Sequence, residues 1–421
     1  MKKLISLMLL AAMVLGAAAA TAEPKEIDGL TSREIRINPA GLNPAPEEMI
    51  AQGISPTTGR TLSSIACPDG FAGAAVTGVY QPIMVQVSNA ENGIGHTENG
   101  EPYAVAPVNG SCADVIYEAC QGKGGTETRM SMIFSDTIPD YAGFVRSTRA
   151  THPRIRQEWN CIFCTSGYTS LDVPQEWSKL GVKNPSSRER TAEDPGIVYV
   201  GDVGEGKPWK KYVRRLKGIK DANNELFELK QILENVVPAD HTPANHTWLF
   251  TDERPSGGDP AEIIYVTFGS EYNTDSRLEY DDENNVYIRY VKMRNGEDLP
   301  YRESILTGAE NVDEKVKGQL ARRVSVRERV PGNLITFSNV IVQGITMNWK
   351  GAARPDPVLT GRGNADYFMG GKHIEGVWER TDINSRTIFY GPDGNEIRLQ
   401  RGRTLIILMG YNNKSSKVRY E

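Results

Sequence analysis

The strongest structural constraint in the sequence is a two-residue alternation of apolar and polar side chains after about residue 260. Ile263, Tyr265 and Thr267 show it first. A later pair of such runs is joined by the polar residues 281–285, which is the pattern of a β-hairpin. Similar runs recur at 340–343, 387–390 and 404–409. The second part of the chain is therefore predicted to be mainly β.

The first part of the chain contains short apolar runs separated by helix-sized intervals. The runs at 83–87, 114–118 and 129–134 have the length and boundaries of buried strands. We therefore predict an α+β protein, in which a mixed α/β amino-terminal domain precedes a mainly β carboxy-terminal domain. The predicted division is a signal peptide at 1–22, an extended leader at 23–78, the first domain at 79–255, the second domain at 256–412 and a tail at 413–421.

The amino terminus has the pattern of a signal peptide. Lys2 and Lys3 precede an apolar run that ends in Ala20-Thr21-Ala22, where we expect cleavage. An uncleaved amino-terminal anchor is the alternative. No later stretch reaches the roughly 18 apolar residues of a membrane span. We therefore expect an extracytoplasmic protein, secreted or associated with the cell envelope, without a lipobox cysteine and without a membrane span after cleavage.

The overall charge argues against nucleic acid as a partner. The chain has 48 basic and 53 acidic residues, a formal net charge of −5, which becomes −7 when Lys2 and Lys3 are removed. The stretch 207–220 is a local exception, because it is basic without one acid. A helix predicted from Pro208 to Lys220 would present these charges on one face. That face is either simply solvated or binds an anionic envelope polymer or lipid head group; its candidate residues are Lys210, Lys211, Arg214 and Arg215.

The cysteines give no prediction of a metal site. Cys161 and Cys164 form a C-x-x-C pair in an apolar, strand-like run, so buried thiols are favoured over redox chemistry. The spacing of a zinc site is missing, and the acidic string 279–283 lacks the glycine of a calcium loop. We predict no metal and no cofactor. The disulfide pairing stays open among Cys67, Cys112, Cys120, Cys161 and Cys164.

Three arginines suggest a ligand-binding site in the first domain. Arg129, Arg146 and Arg149 lie near predicted strand ends, in a stretch rich in glycine and hydroxyl side chains. Guanidinium groups bind carboxylates and phosphates through paired hydrogen bonds, and Ser147 could add a donor. The alternative is a salt-bridge network in which Asp114 or Glu118 pairs with one arginine and orients the sheet.

The common catalytic motifs are missing. The sequence has no H-E-x-x-H, G-x-S-x-G or S-x-x-K motif and no phosphate loop. We therefore expect a non-catalytic protein that binds a cell-wall polymer or an envelope enzyme. The alternative is a hydrolase of an envelope glycan or phosphodiester. It would use Glu118 and Asp140 as an acid/base pair, with His152 as a further candidate base and the arginines as an anion clamp.

Several segments resemble the YerB-type family of bacterial envelope proteins. The first-domain signature includes 113–118, 124–129 and 143–149, and the segment 245–251 matches a later part of the family pattern. Short segments between 371 and 404 resemble its carboxy-terminal domain. The resemblance implies an extracytoplasmic two-domain protein linked to envelope physiology, and it supplies no reaction, cofactor or catalytic residue. Many family members are lipoproteins by sequence, so this chain departs from them in lacking the lipobox cysteine.

Overall fold

The computed structural model describes residues 23–65, 73–89, 93–123, 127–167, 172–180, 197–200, 211–218, 224–237, 241–269, 275–352, 354–413 and 415–421. The predicted signal peptide lies outside these residues. None of the helices within them is both long enough and apolar enough to cross a membrane.

The described chain is mostly β, with a few short helices. The α-helices are α1 (Pro46–Ala51), α2 (Thr151–Trp159), α3 (Asp172–Lys179) and α4 (Leu229–Val236). The strands of the first part are β1 (Lys25–Glu26), β2 (Ile83–Ser88), β3 (Ile94–His96), β4 (Pro102–Val105), β5 (Val115–Cys120), β6 (Thr128–Phe134), β7 (Tyr141–Gly143), β8 (Ile162–Ser166), β9 (Ile197–Val200), β10 (Val213–Leu216) and β11 (Glu225–Glu228). Those of the second part are β12 (Leu249–Thr251), β13 (Asp259–Pro260), β14 (Ile263–Thr267), β15 (Ser276–Asp281), β16 (Val286–Lys292), β17 (Asp298–Thr307), β18 (Glu310–Val316), β19 (Gln319–Ser325), β20 (Glu328–Leu334), β21 (Thr336–Phe337), β22 (Asn339–Trp349), β23 (Pro355–Val358), β24 (Gly361–Met369), β25 (Lys372–Arg380), β26 (Ile388–Tyr390), β27 (Arg398–Gln400), β28 (Thr404–Gly410) and β29 (Lys417–Tyr420).

The largest sheet contains strands from both parts of the chain. Its order is β13-β25-β24-β22-β28-β5-β6-β2-β8-β9, with β23 paired to β22 and β26 paired to β25. At the junction, β5 runs parallel to β28, with Val115 opposite Thr404 and Ala119 opposite Leu408. Backbone hydrogen bonds therefore join the first and second parts of the chain into one sheet.

A second large sheet also combines the two parts. Its order is β1-β29-β14-β15-β16-β17-β4-β3, and β20 and β21 pair with β17 and β16. The predicted hairpin around 281–285 is confirmed as β15 and β16, and Asn285 adopts a positive φ of 53° in its turn. Smaller sheets have the orders β18-β19-β10-β11-β7 and β12-β27.

The largest sheet is buried on both faces. On β2, Ile83 packs into one hydrophobic cluster and Met84 into another, as expected for a strand whose side chains alternate. The first cluster also holds Tyr287 of β16, so it lies between the two large sheets. The second holds Trp159 of α2 and Trp177 of α3, which cover the opposite face. Burial on both faces explains why β2 appears in the sequence as a continuous apolar run.

The helix predicted from Pro208 to Lys220 is wrong for the described residues 211–218, where β10 is a strand. Val213 and Leu216 are buried, and β10 pairs antiparallel with β11 and parallel with β19. A short run such as Val213–Leu216, with apolar residues at its two ends, fits a helix or a strand equally well. Pairing with distant strands therefore determines that this run is a strand. Farther along, β11 occupies Glu225–Glu228 directly before α4 begins.

The predicted leader packs against the sheets over its described residues. Its strand β1 pairs with β29 at the edge of the second large sheet. Farther along, Arg33 donates to the Asp366 carboxylate at 2.7 Å and to the Ala365 carbonyl at 2.7 Å. Asp366 is only 1% exposed, and its carboxylate also lies 2.8 Å from His373 Nε2. Arg33 therefore anchors the leader in a buried polar pocket.

A second anchor involves two buried carboxylates of the first part. Asp114 precedes β5, Asp136 follows β6, and the Thr57 hydroxyl lies 3.2 Å from an oxygen of each. Ser55 and Thr58 also donate to Asp136, at 2.6 and 2.7 Å. Burial, reinforced by the neighbouring charge of Asp136, raises the pKa of Asp114 well above its usual range. The leader hydroxyls thus donate hydrogen bonds to a buried pair of carboxyl groups.

Replacing Arg33 with methionine is expected to destabilise the protein by about 3 kcal/mol, because the buried Asp366 charge would lose its guanidinium partner. Urea unfolding followed by circular dichroism measures this change. Lys25→Met is the matched control, since the Lys25–Asp259 pair is exposed and should contribute far less. Equal losses in the two variants would contradict the anchoring role of Arg33.

Candidate functional site

The three arginines singled out in the sequence lie together at one end of the largest sheet. Arg129 is on β6, whereas Arg146 and Arg149 lie between β7 and α2. The backbone N–H of Arg146 donates to the Gln86 carbonyl on β2 at 2.9 Å, and the backbone carbonyl of Arg146 accepts from Thr165 Oγ1 on β8 at 3.1 Å. The segment is therefore held between the ends of two strands. We call Arg129, Arg146 and Arg149 the arginine cluster.

Among the described residues, Glu127 is the one carboxylate bonded to the arginine cluster. Arg129 donates to it from Nε at 2.9 Å and from Nη2 at 2.7 Å. The Nη1 of Arg129 donates to the carbonyl of Ser147, which is half-buried. The Ser147 hydroxyl lies beside Gly167, whose φ is 76°. A side chain at residue 167 would place its Cβ 2.9 Å from Ser147 Oγ. Glu127 is thus bonded to Arg129, and no described carboxylate is bonded to the guanidinium group of Arg146 or Arg149.

The electrostatics of the cluster are unfavourable for the protein alone. Arg149 is 8% exposed, and burial, together with the charges of Arg129 and Arg146, lowers its pKa to about 10. Its Nη1 donates to the Thr148 carbonyl at 3.0 Å, but its Nε has no hydrogen-bond partner in the described part of the chain. Arg149 still carries its charge at neutral pH, and burying such a charge costs free energy unless an opposite charge is close.

The amino terminus of α2 adjoins this cluster. The backbone N–H of Arg149 donates to His152 Nδ1 at 2.9 Å. The neutral ring therefore carries its proton on Nε2, which is a donor. Burial, together with the charges of Arg129 and Arg149, lowers the pKa of His152 well below its usual value. Thr151 is fully buried at the start of the helix. The positive end of a helix dipole and two polar side chains are therefore added to the arginine charge.

This set of groups is suited to an anion. Guanidinium and imidazole N–H groups donate hydrogen bonds, and a helix amino terminus favours negative charge. The same donors are unsuited to a metal cation. Within the described ranges, no group of three or more His, Cys, Asp or Glu side chains is placed to hold a metal ion.

Glu118 lies outside the arginine cluster, in the core between the two large sheets. Its Oε2 is 2.9 Å from Nη2 of Arg289 on β16, and both side chains are 0% exposed. The other oxygen accepts from Asn89 Nδ2 at 2.6 Å and from Thr128 Oγ1 at 3.0 Å. The structure thus pairs Glu118 with an arginine of the second part of the chain, which the sequence did not single out.

Arg289 has further contacts that hold its guanidinium in place. It lies over the ring of Tyr301, 5.3 Å from the ring centroid, and its Nη1 is 3.7 Å from the sulfur of Met130. The Tyr301 hydroxyl donates to Asn89 Oδ1 at 3.2 Å. Since Asn89 also donates to Glu118, the ion pair is part of a polar network inside the apolar core.

The acid/base pair required by a hydrolase is not assembled. Asp140 is 51% exposed and lies 2.7 Å from the Lys230 ammonium, whereas Glu118 is fully buried with Arg289. His152 lies with the arginine cluster instead. Its Nδ1 already accepts a hydrogen bond, which leaves no free lone pair on the neutral ring for a general base.

The predicted basic surface is not an unpaired basic face. Lys210 falls outside the described residues. The neighbouring strands supply acids to the arginines, because the stretch is a strand within a sheet rather than an exposed helix. The contacts of the described members are Lys211 with the ring of Tyr212, Arg214 with Glu228 and Asp313, and Arg215 with Glu225.

The C-x-x-C cysteines are confirmed as buried thiols. Cys161 and Cys164 pack into different hydrophobic clusters on opposite sides of the largest sheet. Burial raises the pKa of Cys161 to about 12 and that of Cys164 well above its usual value. Both sulfurs are therefore protonated thiols at neutral pH, a poor state for redox chemistry. Cys67 lies outside the described residues.

Sequence reasoning missed Thr151 and Arg289. Arg289 occupies the same face of the predicted hairpin as the apolar Tyr287 and Val291. A charged residue at an inward position of an alternating strand is a signal for a buried partner. Thr151 had no comparable signal, because its importance follows from the place where α2 begins.

Arg289→Met is expected to lower the free energy of unfolding by about 4 kcal/mol, since it leaves the Glu118 charge buried without its partner. The double variant Glu118→Gln/Arg289→Met should recover part of that loss, because no buried charge remains. Urea unfolding of the four chains of this cycle measures the coupling. The control is Arg327→Met, at an exposed arginine. A cost for Arg289→Met no larger than the control's would rule out the structural role of the pair.

His152→Asn is expected to reduce the loss of stability on acidification. Because the pKa of His152 is lowered by folding, the unfolded chain binds a proton that the folded chain does not bind as the pH falls below about 6.5. This difference lowers the free energy of unfolding by on the order of 1 kcal/mol by pH 5.5. Asparagine keeps an acceptor for the Arg149 N–H but does not titrate. Urea unfolding at pH 7.5 and 5.5 measures the effect, and identical pH dependence of both chains would contradict it.

The chain was compared with known proteins. Residues 79–235 match the DUF3048 N-terminal domain, described as a protein of unknown function, and residues 264–406 match the DUF3048 C-terminal domain. Among curated proteins, no match was found.

Among solved structures, the chain is similar to the crystal structure of the YerB protein from Bacillus subtilis. The TM-score is 0.54 at 16% sequence identity, and the match covers 87% of this chain and 99% of the YerB chain. Identity at this level shows a shared fold alone. The two domain matches span most of the sequence and confirm the predicted resemblance: the chain belongs to the DUF3048 family, with a YerB-like fold.

Proposed function

We propose that this protein is a non-catalytic binding protein of the bacterial cell envelope and that it holds an anionic cell-wall polymer at the arginine cluster. One observation carries the proposal. Arg129, Arg146 and Arg149 lie together with a single bonded carboxylate, Glu127, and donors among them have no partner in the described residues. A folded protein that retains such an arrangement has unused capacity for a negative ligand.

The surroundings of the site favour binding over catalysis. Glu118 is neutralised by Arg289, Asp140 is paired with Lys230 at the surface, and His152 presents a proton rather than a lone pair. Hydrolysis of a glycan or phosphodiester needs a group that accepts or donates a proton at the reacting atom. The cluster offers positive charge and hydrogen-bond donors without such a group.

Charge and predicted export favour a local contact with the envelope. The chain has a net charge of −5, so it is not drawn to anionic polymers by its overall field. Binding must therefore come from a restricted positive site, and the arginine cluster is such a site. The predicted signal peptide would bring it to the compartment where wall polymers are found.

Co-sedimentation with purified peptidoglycan sacculi that retain their anionic polymers tests the proposal. The chain 23–421 is expected to pellet at low salt and to be released at high salt, because charge pairing is screened. Arg146→Gln should weaken binding by about tenfold, since it removes a charge-assisted hydrogen bond. The matched control Arg215→Gln should bind normally, because Arg215 is already paired with Glu225.

Sacculi stripped of their anionic polymers should not bind the chain. Pelleting that is equal with stripped sacculi, or unchanged by Arg146→Gln, would overturn the role of the arginine cluster. No pelleting at either salt concentration would overturn the polymer as ligand and direct attention to an envelope protein as the partner.

A further inference from the structure

Residues 146–152 concentrate buried polar atoms that have no partner. In the described part of the chain, the unpartnered atoms of this segment are Arg146 Nε, Arg149 Nε, Thr151 Oγ1 and His152 Nε2. Thr151 is 0% exposed, His152 1% and Arg149 8%. Buried polar groups in folded proteins are nearly always satisfied, so this concentration indicates a missing hydrogen-bond partner.

The residues that carry these atoms lie close together. The Arg149 backbone N–H donates a hydrogen bond of 2.9 Å to His152 Nδ1, which holds the imidazole ring beside this segment. The charges of Arg129 and Arg149 both act on His152, and that of Arg146 acts on the other two arginines. Strand alternation also places Arg129 on the same face of the largest sheet as Ile133, which is the face covered by α2.

The charge balance of the site favours a ligand with two negative charges. Among the described residues, Glu127 is the one carboxylate bonded to the arginine cluster, through Arg129, and the lowered pKa of His152 keeps its ring neutral. Within that part of the chain, two positive charges are therefore left without a bonded counter-charge. A phosphomonoester carries close to two negative charges at neutral pH, whereas a phosphodiester or a carboxylate carries one.

The number and type of hydrogen-bond donors also favour a phosphomonoester. Three N–H groups and one hydroxyl have no partner among the described residues, and a phosphomonoester presents three strong acceptor oxygens. A carboxylate presents only two. The amino terminus of α2, a helix of 9 residues, adds the positive end of its dipole to the site.

We infer that the arginine cluster, together with Thr151 and His152 at the start of α2, binds a phosphomonoester group and prefers it to phosphodiesters and carboxylates. The inference rests on the proposed function, because it names the chemical group through which a wall polymer would be held. It assigns that contact to a terminal phosphate rather than to the internal diester links of a chain.

Isothermal titration of the chain 23–421 with small probes tests the inference. Glycerol 1-phosphate supplies the monoester, dimethyl phosphate the diester and acetate the carboxylate. We expect glycerol 1-phosphate to bind at least about tenfold more tightly than either of the others, because it matches both excess charges. Inorganic phosphate should bind similarly if the site contacts the phosphoryl group alone, and markedly tighter binding of the glycerol ester would show that the attached alcohol contributes.

Two substitutions assign the binding to this site. Arg146→Met removes a guanidinium that is only half-buried, and Thr151→Val removes a hydroxyl while keeping the shape of the side chain; each should weaken glycerol 1-phosphate binding by about tenfold. Arg327→Met, at an exposed arginine of the second part, is the control and should bind normally. Unchanged thermal unfolding would show that both site variants are folded.

The outcomes separate this inference from the proposed function. Equal affinity for the monoester and the diester, or binding unaffected by Arg146→Met and Thr151→Val, would overturn the phosphomonoester assignment. If no phosphate probe binds while sacculi still pellet the chain in an Arg146-dependent manner, the assignment fails and the polymer proposal stands. If neither binds, both fail.

Discussion

The ion pair between Glu118 and Arg289 is the contact on which the arrangement of the two large sheets depends. Both side chains are fully buried, 2.9 Å apart, in the hydrophobic core between the sheets. Removing two charges from water is costly, and here each buried charge has the opposite charge 2.9 Å away. A shift of either strand by one residue would turn one partner to the opposite face and leave the other charge unpaired. The pair therefore helps to fix how β5 and β16 face each other.

The same strand that supports this ion pair also supports the candidate site. Thr128 on β6 donates to Glu118 in the core between the sheets. The next residue, Arg129, lies on the other face of the sheet, where it donates to Glu127 and to the Ser147 carbonyl. The polar network of the core and the arginine cluster thus use neighbouring residues of one strand. Arg129 lies near the end of a strand, and Arg146 and Arg149 lie in the segment that leads into α2, so two regular elements hold the positive charges close together.

Sequence reasoning could predict the local elements better than their assembly. The alternation after residue 260 predicted the β15–β16 hairpin, and continuous apolar runs predicted β2, β5 and β6. The helix predicted at 208–220 was wrong, because pairing of β10 with β11 and β19 is a long-range event that local periodicity does not contain. The predicted division into two domains likewise gave no sign that both large sheets would contain strands from each part. Arg33 and Thr57 of the predicted leader likewise contact residues far along the chain, and local sequence does not contain such contacts.

The arginine cluster was accessible to sequence reasoning because its residues are close in sequence and of one chemical type. The partners of Glu118 and the role of Thr151 were not accessible, since they depend on strand register and on where α2 begins. A crystal structure of the chain 23–421 grown with tungstate, a heavy dianion with phosphate-like shape, tests the central claim most directly. An anomalous peak within hydrogen-bond distance of Arg146, Arg149 and Thr151 is the expected result. Absence of that peak, with the same side chains bonded to other protein groups, would contradict an anion site at the arginine cluster.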